Sequence, residues 1–185
     1  RASLIPLDIS DMGSIEACVS AVSEITDTLD ILVNNGAIYP RTDGTRYFGA
    51  LDMDELTEVM QVNAVAPLIV TQVYAPMLKK SKNPRVVMVS SEMGSMQWTS
   101  SGGSYGYRMS KAAMNMTARK LAMDENLADA IVIKTHPGNV QTVMSGLTVG
   151  MMPPESAQGL FKVISGLTAD DNGKFLKWNG EEHIW

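Results

Sequence analysis

Arg85-Val86-Val87-Met88-Val89 is followed directly by Ser90-Ser91, and this stretch indicates a strand that is buried on both faces. Strands of that kind are apolar without alternation and are typical of parallel sheets covered by helices. Four more segments are predicted as strands from their apolar residues: 3–8, 29–33, 131–135 and 174–177.

Helical spacing of apolar residues separates these strands. The predicted helices are a first one capped by Ser10 or Asp11, a long one over 52–79 that bends at Pro67 and ends near Pro76, and two more over 104–127 and 155–167. Because helices and buried strands alternate, we predict a single α/β domain, residues 1–185, with a Rossmann-like, doubly wound parallel sheet and helices on both faces.

Composition excludes several classes of partner. The 185 residues are 45% apolar, the formal net charge is -5 and the sequence pI is near 5.0, so no basic surface for nucleic acid or anionic membrane is expected. Cys18 has no second cysteine to pair with, and we expect no apolar run of the roughly 20 residues that a membrane span needs. A cytoplasmic location is expected.

Polar residues follow each predicted strand: Asp8, Asn34-Asn35-Gly36, Ser90-Ser91 and Pro137-Gly138. In open parallel sheets, ligands bind beyond the carboxyl ends of the strands, so these residues are expected to face one crevice. Each has an ordinary alternative, since Asp8 could be a helix cap and Asn-Gly is a common turn pair.

Tyr107 and Lys111 are four residues apart on a predicted helix, so their side chains point to the same side. A nearby cation favours the ionised phenol, whose ordinary pKa is about 10, and we therefore predict a lowered pKa for Tyr107. Tyr105 has the wrong helical offset to Lys111. Tyr-x-x-x-Lys is a weak pattern alone, and Ser91 at a strand end upstream adds weight to it.

Asn63 lies within the apolar stripe of the long helix. A buried amide needs hydrogen-bond partners, which could be structural groups or ordered water leading to a site.

Several motifs resemble, in order and spacing, those of the short-chain dehydrogenase/reductase family. They are Leu29-Asp30-Ile31-Leu32-Val33-Asn34-Asn35, Val62-Asn63-Ala64-Val65-Ala66-Pro67, Val89-Ser90-Ser91, Tyr107-Arg108-Met109-Ser110-Lys111 and Pro137-Gly138-Asn139-Val140-Gln141-Thr142. The end of the chain, 173–185, resembles the C-factor and sniffer-type carbonyl reductases of that family.

The resemblance implies hydride transfer between a nicotinamide and a carbonyl or alcohol carbon. Tyr107 would protonate the carbonyl oxygen and Ser91 would hydrogen-bond it. Lys111 would lower the pKa of the phenol and bind the ribose hydroxyls, and Asn63 would hold water in a proton relay to Lys111.

The resemblance also implies a cofactor, NADP or NAD, with NADP slightly favoured. Asp8 would contact adenine, and Val140 and Thr142 the carboxamide, beside Pro137 and Gly138. The adenosine ribose would lie against Asn35, Gly36 and Ala37. A small apolar carbonyl or alcohol substrate would lie under a lid, 146–154, that carries Leu147, Val149, Met151 and Met152. A homodimer or homotetramer is implied.

Two departures from the family pattern matter. Asn34-Asn35-Gly36-Ala37 stands where the family has Asn-Asn-Ala-Gly, which predicts strain at Ala37. Nothing corresponds to the family's first β-α-β unit, with its phosphate turn, so weak cofactor binding is expected. The open edge of 29–33 would then pair with the displaced strand 3–8 or with another chain.

Three interpretations remain: part of an active reductase, a truncated non-catalytic binding or signalling protein, or a sugar-nucleotide epimerase or dehydratase. The third is disfavoured because those enzymes carry a large C-terminal substrate domain, and the sequence after Lys111 is short. His136 and His183 are too isolated to predict a metal site and are interpreted as structural or solvent-facing.

Overall fold

The computed structural model describes residues 2–146 and 150–185. Its sheet has four parallel strands in the order β1 (Ile31–Asn34), β2 (Arg85–Val89), β3 (Ile131–His136) and β4 (Phe175–Lys177). The predicted α/β class and parallel sheet are confirmed.

The described residues form six α-helices: α1 (Met12–Ser23), α2 (Asp43–Arg46), α3 (Met53–Met60), α4 (Ala66–Leu78), α5 (Tyr105–Leu121) and α6 (Pro153–Gly166). The short α2 was not predicted, because four residues show no periodicity. The helix predicted over 104–127 ends at Leu121, and a separate 3-10 turn follows at Glu125–Leu127. Pro76 lies inside α4, which continues to Leu78.

α3 and α4 form one continuous helix, Met53–Leu78, joined by a π-helical turn at Gln61–Val65. The sequence predicted a bend at Pro67, and the irregular turn lies just before it. By length and composition alone, this 26-residue helix could cross a membrane, contrary to the expectation from the sequence. Val70, Tyr74 and Met77 pack it against α1, as in the core helix of a globular domain.

The two faces of the sheet bury different helices. Val86, Met88 and Val132 pack with α4 and α5 on one face. Val87 and Ile133 pack with Val163, Ile164 and Leu167, at and just beyond the end of α6, on the other. Each such side chain contributes about 1.5–3 kcal/mol on burial, and together they hold the carboxyl ends of the strands at one edge.

The strand predicted over residues 3–8 is not formed. Residues 2–7 have no regular structure, and Leu4 is 99% exposed, because no neighbouring strand supplies the hydrogen bonds that a strand needs. The open edge of β1 is therefore not paired with residues 3–8, and Ile31 and Val33 are exposed. Leu7 and Ile9 instead line a cavity of about 350 Å³ beside β1.

Candidate active site

Tyr107 and Lys111 are both buried on α5, with 9% and 1% of their surfaces exposed. The Lys111 ammonium lies 5.6 Å from the centroid of the Tyr107 ring and donates a hydrogen bond of 2.9 Å to the carbonyl oxygen of Val89. Because Val89 ends β2, the phenol and the ammonium meet at the carboxyl edge of the sheet. The predicted shared orientation of the two side chains is confirmed.

The predicted lowering of the Tyr107 pKa is wrong for the chain by itself. The pKa of Tyr107 is raised to about 12, chiefly by burial; the Ser91 side chain lowers the pKa in part, and the charge of a neighbouring phenol, Tyr39, contributes to the rise. Burial also lowers the pKa of Lys111 to about 8. The low dielectric around both groups outweighs the attraction that the sequence suggested. At neutral pH, Tyr107 is a protonated phenol and Lys111 remains mostly charged.

Ser91 begins the 3-10 turn Glu92–Gly94, and its Oγ accepts a hydrogen bond of 3.2 Å from the Met93 amide. This turn packs directly on α5. A Cβ on Gly94 would lie 2.7 Å from the carbonyl carbon of Lys111, so only glycine fits there. Asn115 Nδ2 donates to the Gly94 carbonyl at 3.1 Å, which fastens Ser91 to the helix that carries Tyr107.

Asn63 is fully buried in the π-helical turn, a distortion that is frequent at functional sites. Its Oδ1 accepts from the Ile38 amide at 2.8 Å, and its Nδ2 donates to the Ile38 carbonyl at 2.8 Å and to Ser110 Oγ at 3.0 Å. The amide therefore joins the loop after β1 to α5. Of the two kinds of partner considered from the sequence, the structure shows the structural ones.

Asn35, Gly36 and Ala37 follow β1 at the same edge of the sheet. A Cβ on Gly36 would lie 3.0 Å from Cδ1 of Ile9, so glycine allows this close approach. Among the described residues, Ser104 is the only non-glycine residue with a positive φ, so the strain predicted at Ala37 is absent.

Pro137, Gly138, Val140 and Thr142 follow β3. Gly138 has a φ of +86°, and a Cβ there would lie 2.5 Å from Cε of Met151. The Val140 carbonyl accepts from Ser145 Oγ at 2.7 Å, and Thr142 Oγ1 accepts from the Ser145 amide at 3.3 Å. These groups form a compact turn beside the start of α6, where Ser156 Oγ donates to Pro137 at 2.6 Å.

Asp8 is exposed and does not cap a helix. Its carboxylate accepts from the amide and the hydroxyl of Ser10, at 2.9 and 2.6 Å, and these bonds lower the pKa of Asp8. Asp11 caps α1 instead. Leu7 and Ile9, the neighbours of Asp8, line the cavity beside β1 together with Asn35 and Gly36, whereas Asp8 does not.

The predicted lid is partly described. Leu147 and Val149 lie outside the described residues. Met151 forms a parallel bridge with Val140, and Met152 precedes the first residue of α6. Met152 is exposed, whereas Met151 is half-buried.

Two features of the site were missed from the sequence. The Tyr39 ring lies 4.5 Å from that of Tyr107, centroid to centroid. His136 and His183, interpreted from the sequence as structural or solvent-facing, are both buried, as the structural alternative requires; their proximity, with ring centroids 6.1 Å apart, was not predicted. No periodicity links residues so far apart in the chain. Among residues 2–146 and 150–185, no group of three or more candidate ligands could hold a metal ion.

Comparisons with known proteins agree with this architecture. The family model described as short chain dehydrogenase matches residues 1–150. The C-signal protein of Myxococcus xanthus is 34% identical over 165 residues, which are 89% of this chain and 98% of that protein. The 1-hydroxy-2-glutathionyl-2-methyl-3-butene dehydrogenase of a Rhodococcus species is 30% identical over 97% of this chain and 78% of its own length.

Solved structures show the same fold. The NADPH-bound carbonyl reductase from chicken fatty liver superposes with a TM-score of 0.90 at 32% identity, covering 99% of this chain and 77% of the reductase. The carbonyl reductase Sniffer of Drosophila melanogaster gives a TM-score of 0.88 at 26% identity, covering 97% and 76%.

Proposed function

The chain belongs to the short-chain dehydrogenase family, and on that premise we propose that it is an NAD(P)-dependent oxidoreductase with Tyr107 as acid and base. Its substrate is a small carbonyl compound or the corresponding alcohol. One observation carries the proposal: the Tyr107 phenol, the Lys111 ammonium and the Ser91 hydroxyl converge at the carboxyl end of β2.

The donor set fits a nicotinamide cofactor. A lysine ammonium has three N–H donors, and the only oxygen that accepts one from Lys111 within the described residues is that of Val89. A second contact, to Sδ of Met114 at 3.9 Å, is weak. Lys111 therefore retains donors for the ribose hydroxyls. The residues that would hold the rest of the cofactor are Asp8, Asn35, Gly36, Ala37, Pro137, Gly138, Val140 and Thr142.

The cofactor, NADP or NAD, supplies the hydride when bound. NADP is preferred in this proposal because the chicken reductase is NADPH-bound. Tyr107 supplies the proton to the carbonyl oxygen during reduction and removes it during alcohol oxidation. Its raised pKa keeps the phenol protonated at neutral pH, which is the form required for reduction.

Ser91 donates a hydrogen bond to the same substrate oxygen as negative charge develops there. Lys111 stabilises the tyrosinate after proton transfer, since a charged ammonium 5.6 Å from the ring favours the anion. Asn63 holds the loop after β1 against α5. In the proton relay, Lys111 passes a proton to the tyrosinate and regains one from a water bound near Asn63.

Met151, near Gly138, favours an apolar substrate. A homodimer or homotetramer is supported by exposed apolar side chains on α4 and α5, which are Leu68, Met109 and Met116. The acidic net charge supports a protein without nucleic-acid or membrane partners. The single cysteine, Cys18, supports a reducing, cytoplasmic location.

A non-catalytic binding or signalling protein is not favoured. The proposed acid, its hydroxyl partner and its lysine are all retained, and the relatives include a dehydrogenase and carbonyl reductases. An epimerase or dehydratase would share Tyr-x-x-x-Lys, but it is less favoured because the relatives include a dehydrogenase and carbonyl reductases.

The direct test replaces Tyr107 with Phe. Oxidation of saturating NADPH, followed by absorbance with small apolar aldehydes and ketones, should fall by at least about 100-fold because the acid is lost. Tyr105→Phe is the matched control, since Tyr105 lies on the same helix and its ring packs near Phe48. Turnover by Tyr107→Phe within a few-fold of the unmodified chain would refute the acid role, provided circular dichroism shows both variants folded.

A further inference from the structure

Tyr39 makes the most direct aromatic contact with the proposed acid. It lies in the segment after β1, and its ring centroid is 4.5 Å from that of Tyr107, with the two planes tilted by 40°. This distance is at the short end of the range for stabilising aromatic pairs. Tyr39 is half-buried, and its phenolic charge raises the pKa of Tyr107.

Ser104 fixes the other end of Tyr39. The hydroxyls of Tyr39 and Ser104 are 2.9 Å apart, and the Ser104 amide donates to the Arg46 carbonyl at 3.0 Å. Tyr39 and Arg46 belong to one segment, 39–46. This segment thus holds both the side chain and the backbone of Ser104. Ser104 directly precedes α5, the helix that carries Tyr107.

The conformation of Ser104 is unusual. Its φ of 52° and ψ of 41° place it in the left-handed region, which serine adopts at a cost. Serine at a helix start ordinarily caps an amide in the first turn, yet the Ser104 side chain makes no such bond. Its hydroxyl is directed to Tyr39 instead. Strained backbone of this kind persists where surrounding contacts hold it, often at functional sites.

Arg41 ties Tyr39 to the segment that follows β3. Its guanidinium lies 5.7 Å from the centroid of the Tyr39 ring, and its Nη2 donates to the Met144 carbonyl at 2.9 Å. Tyr39 is therefore connected to two strand ends and to the start of α5.

We propose that Tyr39 is a positioning residue for Tyr107, and that Ser104 anchors it. The inference rests on the proposed function, because positioning has a purpose only if Tyr107 transfers a proton. Tyr39 itself transfers none. Its ring limits the orientations of the Tyr107 ring, so that the phenolic hydroxyl stays directed toward the oxygen of a bound carbonyl, and a small error in that direction slows proton transfer.

Nuclear magnetic resonance of the chain labelled with ¹³C at tyrosine Cζ tests the contact without turnover. The five tyrosines give five signals, assigned by single replacements with Phe. In Tyr39→Leu, the Tyr107 signal should shift and its pKa should fall by about one unit, because burial and the neighbouring charge are both reduced. Tyr47→Leu is the matched control, since Tyr47 is an exposed tyrosine of the same part of the chain.

Steady-state kinetics tests the consequence. Tyr39→Leu should lower kcat about tenfold with the carbonyl KM changed less than about twofold, as expected for a lost orientation rather than lost binding. Ser104→Gly removes the anchor but relieves the left-handed backbone, so it should lower kcat without lowering the melting temperature. If Ser104 had a purely structural role, kcat and the melting temperature would fall together.

The outcomes are distinct. An unchanged Tyr107 signal and pKa in Tyr39→Leu, or an equal change in Tyr47→Leu, overturns the inference. If Tyr39→Leu does not fold, Tyr39→Phe and Ser104→Gly decide, and wild-type kcat in both overturns it. If Tyr107→Phe stays active while the signal responds to Tyr39, the proposed function fails but the contact stands. If Tyr107→Phe is inactive and the signal is insensitive to Tyr39, only the positioning inference fails.

Discussion

Lys111 Nζ donates a hydrogen bond of 2.9 Å to the main-chain carbonyl of Val89, the last residue of β2. A carbonyl dipole and a distant sulfur replace the water that an exposed ammonium would have. Burial accordingly lowers the pKa of Lys111 from 10.5 to about 8. The cation is thus kept beside Tyr107 at a cost in stability that depends on pH.

The first prediction concerns that cost. Between pH 8 and 10.5 the unfolded chain binds the Lys111 proton and the folded chain does not, so stability rises with pH across this window. Lys111→Met removes the buried ammonium and with it this cost. The unfolding free energy of Lys111→Met minus that of the unmodified chain should therefore be about 2–3 kcal/mol larger at pH 7 than at pH 10. Urea unfolding at both pH values measures it. Lys120→Met, an exposed change on the same helix, should show no such dependence.

The second prediction concerns the rate. If the Lys111 charge assists proton transfer, carbonyl reduction should decline as pH rises through about 8, whereas Tyr107, with a pKa of about 12, stays protonated. Lys111→Met should be slower and should lose the decline near pH 8. Profiles of kcat/KM from pH 6 to 10 test this, and an unmoved decline in Lys111→Met would contradict the assignment.

The third prediction concerns the contact between the Ser91 turn and α5. Gly94→Ala places a methyl group 2.7–2.9 Å from backbone atoms and Cβ of Lys111, which cannot yield easily. A loss of about 1–3 kcal/mol is expected, together with a lower kcat, since Ser91 moves away from Tyr107. Gly102→Ala is the control because no atom lies within 4 Å of its Cβ position and its φ is not in the left-handed region. Equal stability of the two variants would exclude the close approach.

The fourth prediction concerns Asn63. Asn63→Leu keeps a similar volume but leaves the Ile38 amide and carbonyl without their partners, so a loss of about 2–4 kcal/mol is expected by thermal or urea unfolding. Asn63→Asp should be at least as damaging, because its carboxylate is buried and cannot donate to Ser110. The exposed Asn83→Asp should be nearly neutral. A stable Asn63→Leu would show that the loop after β1 is held by other contacts.

The sequence by itself determined those helices and strands whose apolar pattern matches the burial that their residues have in the fold. The uninterrupted apolar run 86–89 belongs to a buried parallel strand, and the long helix predicted from residue 52 starts at Met53. The four-residue spacing placed Tyr107 and Lys111 on one side of α5, because helical geometry depends only on neighbouring residues. The strand predicted over residues 3–8 is not formed, because a strand needs hydrogen bonds from a neighbouring strand that its own residues cannot supply.

Only the tertiary structure decided the direction of the pKa shift of Tyr107 and the contact of a second tyrosine, Tyr39, with its ring. Whether a cation lowers the pKa of a phenol or burial raises it depends on the dielectric around both groups, and here Val89, Met114 and the packed sheet exclude water. The rings of Tyr39 and Tyr107, residues far apart in the chain, are in direct contact, and Ser104, with its left-handed backbone, holds the Tyr39 hydroxyl. No periodic signal encodes such a contact, because it arises only when separate strand ends are packed side by side.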